Sequence, residues 1–198
     1  MDKPSHLPVQ APAESPRFNT IPTDWGGAPL EAQPAFRIVL SPGEFIELLV
    51  TARKTPSSMI GSACGEFHEG LWQHDCAELF LANPETGHYI EFNLAPNGAW
   101  WSCLFEAPRG RALVENFPLP GVTTEALEGI AHWEARLRIP LASLPESIGS
   151  DPARWRGNTT FCLGNAPRQK YATFAAPAPG QPDFHRPQDW LPLGSAEG

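Results

Sequence analysis

The sequence predicts an all-β protein, and three observations carry that prediction. Pro (23) and Gly (17) make up about a fifth of the 198 residues. Ordinary usage is roughly 12%, and so many chain breakers suit short strands joined by turns better than long helices. Apolar residues repeat with period two over several short runs, as they do in a strand. Turn signals separate those runs at roughly eight to twelve residues, the spacing of a β-sandwich or barrel.

The elements follow in order. Residues 1–35 hold seven prolines, among them Pro4, Pro8, Pro12 and Pro16. With few bulky apolar residues, this segment reads as extended or mobile chain. Residues 36–193 read as one sandwich domain, and 194–198 as a tail. Strands are expected at 36–40 and 44–50, around the turn Ser41-Pro42-Gly43. Residues 51–70 read as loop. Strands 76–81 and 88–94 flank the turn Asn83-Pro84-Glu85-Thr86-Gly87, and Pro96-Asn97-Gly98 marks a hairpin that returns along 99–105. Later strands are expected at 132–139 and 159–165, with one helical turn at 141–144. The Pro-rich stretch 171–193 carries Phe174, Phe184 and Trp190, which pin it to the domain.

Composition narrows the function. The net charge is -8 and Lys3, Lys54 and Lys170 are the only lysines, which argues against nucleic acid as the partner. No apolar run approaches the roughly 20 residues of a membrane helix. The first residues lack the apolar core of a signal peptide, so the expected location is cytoplasmic and Cys64, Cys76, Cys103 and Cys162 are expected to be reduced thiols. The usual nucleotide-binding and serine-hydrolase motifs are missing. Seven tryptophans exceed what a core this size needs, and surplus Trp points to ligand stacking.

The block Gly70-Leu71-Trp72-Gln73-His74-Asp75-Cys76-Ala77-Glu78-Leu79-Phe80-Leu81 is followed by Tyr89-Ile90-Glu91-Phe92-Asn93-Leu94-Ala95-Pro96-Asn97-Gly98-Ala99-Trp100, and later by Pro182-Asp183-Phe184-His185-Arg186-Pro187. Together and in this order they resemble a DOMON-like family related to type 9 carbohydrate-binding modules. The resemblance spans about residues 70–193 (each block alone is a weak signal). It implies a jelly-roll or immunoglobulin-like β-sandwich with a binding role, since the wider superfamily includes sugar-binding and haem-binding members.

The hairpin orients the candidate residues. A two-residue loop at Asn97-Gly98 sets Asn93 opposite Ser102 and Leu94 opposite Trp101. Tyr89, Glu91 and Asn93 then share a polar face with Trp100, while Ile90, Phe92 and Leu94 share the core face with Trp101. A three-residue loop exchanges the two tryptophans. Alternation along 76–81 puts Glu78 on the side of Glu91. Carboxylates, an amide and an indole on one face are what a sugar site uses, the indole stacking on the ring while the polar groups fix hydroxyls. The competing reading is a solvated sheet face with Trp100 under a loop. Trp72 is a loop residue, either ligand clamp or end plug. His185 serves either as a structural hydrogen-bonding link or as a ligand contact.

The expected function is non-catalytic binding of a saccharide or glycoconjugate, with Trp72, Glu78, Glu91, Asn93, Trp100 and His185 as ligand-binding residues. The alternatives are a haem or other cofactor-binding domain, for which Met59 offers the one methionine besides Met1, and a protein-interaction module without a small ligand. A Glu78/Glu91 acid–base pair for glycoside hydrolysis is the disfavoured enzymatic reading. No zinc is expected at Cys64, His68, His74 and Cys76, whose spacing matches no common zinc pattern. Calcium stays open, since Asp75, Glu78 and Glu91 offer oxygen ligands.

Overall fold

The computed structural model describes residues 3–111, 116–149 and 151–195. Among the described residues, thirteen strands run in chain order: β1 (Leu7–Gln10), β2 (Asn19–Thr20), β3 (Ala35–Ser41), β4 (Phe45–Ala52), β5 (Cys76–Ala82), β6 (Tyr89–Leu94) and β7 (Trp100–Ala107). They continue as β8 (Gly110–Arg111), β9 (Thr123–Glu128), β10 (Trp133–Pro140), β11 (Arg156–Leu163), β12 (Lys170–Thr173) and β13 (Leu191–Ser195). Helical structure among the described residues is limited to 3₁₀ turns of three residues each, including one at Leu141–Ser143 where a single turn was expected. None of these helices is long and apolar enough to cross a membrane.

The hydrogen-bonded order is β8-β7-β6-β5-β11-β13-β1-β3-β4-β10-β9, with β12 on β11 and β2 on β3. This long sheet turns back on itself. Leu79, Leu81, Ile90, Phe92 and Leu94 from one half join Ile38, Leu48, Val50 and Leu137 from the other in a single buried cluster. Burying aliphatic side chains on this scale is the main favourable term holding the halves together, at about 25 cal/mol per Å² of apolar surface.

The Pro-rich N-terminal segment belongs to this sheet. Leu7–Gln10 pairs in parallel with β13 on one side and β3 on the other, and Leu7 is fully buried. The chain there is extended and held in place, and residue 36 falls inside β3. At Gly157 an added Cβ would sit 2.7 Å from the Phe80 carbonyl oxygen and 3.0 Å from Leu7. A side chain at this position would push apart the strands where the two halves join.

The hairpin takes the longer of its two expected loops. Leu94 pairs with Trp100 and Asn93 with Trp101. Ala95 N–H donates to Ala99 O at 2.9 Å, and Gly98 N–H to Ala95 O at 2.9 Å. Gly98 has φ 80°, leaving three residues, Pro96-Asn97-Gly98, in the loop. A left-handed glycine closing a three-residue loop is a common hairpin solution. The two-residue register is thereby corrected, and every side chain of β7 lies on the opposite face from that expectation.

Burial separates the two halves. On β10 exposed and buried residues alternate, so its outer face meets water. On β5 and β6 every residue is buried. A second apolar cluster covers their outer face, built from Phe80, Tyr89, Trp101, Phe105 and Trp190. Glu78, Glu91 and Asn93 are therefore buried polar residues on a covered sheet face, where charge is costly unless something compensates it.

Candidate functional site

A cleft of about 760 Å³ opens on this outer face. Its floor is Glu78 of β5, Glu91 of β6, Trp101 and Phe105 of β7. Trp72, Gln169 and Tyr171 form one wall, and Phe184 and His185 the other. The volume is in the range of small-ligand pockets.

Each wall is fixed by hydrogen bonds. Trp72 lies on a 3₁₀ turn, Leu71–Gln73, that opens from Gly70. The Gln169 side-chain amide donates to the carbonyls of Trp72 at 2.8 Å and His74 at 2.9 Å, tying that turn to the loop between β11 and β12. The Tyr171 hydroxyl donates to Gln169 Oε1 at 3.2 Å. Trp72 is half-buried, its ring 5.1 Å from that of Trp101 at an interplanar angle of 56°. Two indoles at this angle present a bent apolar surface.

The opposite wall is the C-terminal segment. Tyr89 Oη and His185 Nδ1 are 2.8 Å apart, and Tyr89 Oη also accepts the Arg109 backbone N–H at 3.1 Å. Asp183 Oδ1 accepts from His185 N–H at 3.1 Å and from Arg109 Nη2 at 2.8 Å. Trp190 Nε1 donates to the Phe184 carbonyl at 3.1 Å. His185 Nε2 faces Glu91 Oε2 at 3.7 Å. Burial raises the Tyr89 phenol above its ordinary range, so it stays protonated and able to donate.

The carboxylates differ in their partners. Glu91 Oε1 accepts from Asn93 Nδ2 at 2.7 Å, and the Asn93 carbonyl accepts from the Cys76 thiol at 3.1 Å. Glu78 Oε2 accepts from the Thr160 hydroxyl at 2.6 Å, while the Cys162 thiol reaches its Oε1 only at 3.8 Å. Burial pushes the Glu78 carboxyl up to about 7, against the opposing effect of those two bonds. Burial and the neighbouring carboxylates also raise the Cys76 and Cys162 thiols, so neither is a thiolate nucleophile.

Trp72, Glu78, Glu91 and His185 therefore meet around one cleft. Two expected residues do not. Trp100 is placed by the corrected register in the inner core, with its ring edge-on to Phe67 at a centroid distance of 4.9 Å. Asn93 has no exposed surface and lies beneath Glu91 as its hydrogen-bond donor. Trp101 takes the place expected of Trp100, its Nε1 donating to Asn116 Oδ1 at 2.6 Å. Tyr89, Gln169 and Tyr171 were not singled out from the sequence. The alternation 89, 91, 93 did place Tyr89 beside the carboxylates, whereas nothing local marks Gln169 or Tyr171.

The Cys/His set is dispersed. Cys64 contacts Thr124, His68 pairs with Glu66 at 3.1 Å, His74 bonds Asn165 at 2.9 Å, and Cys76 bonds Asn93. No disulfide links the four cysteines. Asp75 is not a companion of Glu78 and Glu91 for calcium. Its carboxylate is committed to Lys54, to Ser57 N–H at 2.7 Å and to Gly164 N–H at 2.6 Å.

No family model matches the chain. It is 26% identical over 171 residues to the UPF0462 protein C4orf33 homolog of Danio rerio, covering 82% of this chain and 81% of that one. A solved Bacteroides uniformis structure, described as a candidate carbohydrate-binding protein, superposes with TM-score 0.66 at 18% identity over 88% of this chain and 84% of that one. A family 9 carbohydrate-binding module from Caldicellulosiruptor kristjanssonii, solved with cellotriose, superposes with TM-score 0.55 at 10% identity over 96% and 94%. The chain thus has a fold of the carbohydrate-binding-module type.

Proposed function

We propose that the protein is a non-catalytic saccharide-binding domain and that the cleft between Trp72 and His185 is its binding site. The observation that carries this reading is the pairing of the Trp72–Trp101 surface with buried Glu78 and Glu91 in one cleft. An aromatic surface takes the C–H face of a sugar ring, and carboxylates accept its hydroxyl protons. The three sequence blocks that resemble a DOMON-like family supply residues to this cleft: Trp72 and Glu78 from the first, Glu91 from the second, Phe184 and His185 from the third. A jelly-roll or immunoglobulin-like β-sandwich belongs to the same reading. The solved neighbours, one of them bound to cellotriose, agree with it.

A glycan array probed with the purified chain tests the proposal, followed by calorimetric titration of the strongest hit. The expected result is saturable binding that Trp72→Ala weakens. A blank array, or release of cleaved sugar during titration, overturns the reading.

A further inference from the structure

Resting on the saccharide reading, we infer that the cleft selects an amino sugar carrying a free ammonium group, with Glu78 as the group that receives it. Glu78 is 4% exposed and lines the cleft. One of its oxygens bonds Thr160 at 2.6 Å, while the other, among the described residues, has only a thiol at 3.8 Å. A buried carboxylate so weakly compensated is costly, and a ligand that brings a cationic donor relieves that cost where a hydroxyl relieves less of it.

Among the described residues, the groups around Glu78 supply no cation of their own. Glu91 stands on β6, Cys76 on its own strand, Cys162 on β11 and Tyr171 on β12, all neutral or acidic. Across the cleft, His185 faces Glu91. Among the described lining residues there is no lysine, and the guanidinium of Arg109 is held by Asp183 at 2.8 Å. Trp72, Trp101 and Tyr171 add aromatic surface to the same cleft, and aromatic faces attract cations. The burial that raises the Glu78 carboxyl fits the same picture, because an ammonium at this position would favour its ionised form.

The test compares hexosamine and hexose pairs of one stereochemistry by calorimetric titration at pH 7.5: glucosamine with glucose, galactosamine with galactose, mannosamine with mannose. In at least one pair the amine should bind about tenfold more tightly, the gap between a charge-assisted and a neutral hydrogen bond. Glu78→Gln should abolish that preference, bringing each amine and its hexose within about threefold of one another. The wild-type pairs decide the matter even if this variant fails to fold. Hexoses binding as tightly as their amines overturn the inference and leave the saccharide reading standing. If no pair binds, the inference is overturned, and a blank glycan array takes the saccharide reading with it.

Discussion

Tyr89 and His185 lie 96 residues apart and are joined by a hydrogen bond of 2.8 Å. That bond holds the C-terminal segment over the sheet face bearing Glu78 and Glu91.

Tyr89→Phe removes the hydroxyl and leaves the ring stacked on Phe105 at 4.7 Å. Two hydrogen bonds go, to His185 and from the Arg109 backbone. The expected cost is about 1–3 kcal/mol in denaturant unfolding. Saccharide binding should weaken as well, because the His185 side chain loses the bond that positions it beside Glu91.

Trp72 and Trp100 should behave in opposite ways. Trp72→Ala removes a half-buried surface residue, so binding should fall about five- to tenfold with little change in the unfolding midpoint. Trp100→Ala empties a core position that is 5% exposed and should cost about 3–5 kcal/mol. Paired titration and unfolding curves check both. Binding loss without destabilisation in Trp100→Ala would contradict the register described above.

Asp75→Ala should unfold the protein readily without touching ligand choice. The carboxylate has no exposed surface, and it holds Lys54 and the backbone at Ser57 and Gly164. Removing one partner of a buried ion pair costs about 3–5 kcal/mol, measurable by chemical denaturation.

Glu78 makes stability depend on pH in an unusual direction. Its folded carboxyl is raised to about 7 from an ordinary 4.5. Between those values the folded chain holds a proton that the unfolded chain releases, so this group's contribution declines as pH rises. It is fully present below about 4.5 and gone above about 7. Glu78→Gln should therefore gain stability relative to the parent from pH 5 to 8, on the order of 2–3 kcal/mol. A difference that is flat with pH, measured by urea unfolding, would contradict the burial assigned to Glu78.

Much of this site was legible in the sequence because alternation in a strand is local. Period two along 76–81 and 88–94 correctly put Glu78 and Glu91 on one face. Register is not local in the same way: one residue more in the loop at Pro96-Asn97-Gly98 exchanged Trp100 for Trp101. The strand Leu7–Gln10 was hidden for another reason. Its partner β13 lies at the far end of the chain, and four residues containing a proline carry too little pattern to announce a strand. Gln169 and Tyr171 reach the cleft through β11–β12 pairing, which no short-range signal encodes.

The most direct test of the account is the set of tryptophan indole N–H resonances, followed by NMR as a saccharide from the glycan array is added. Trp72 and Trp101 line the cleft, whereas Trp100, Trp133 and Trp155 lie in the inner core. The Trp72 and Trp101 signals should shift with saturation while the three core signals stay in place. Saturating shifts that spare both Trp72 and Trp101 would place the saccharide elsewhere and contradict the assignment of this cleft.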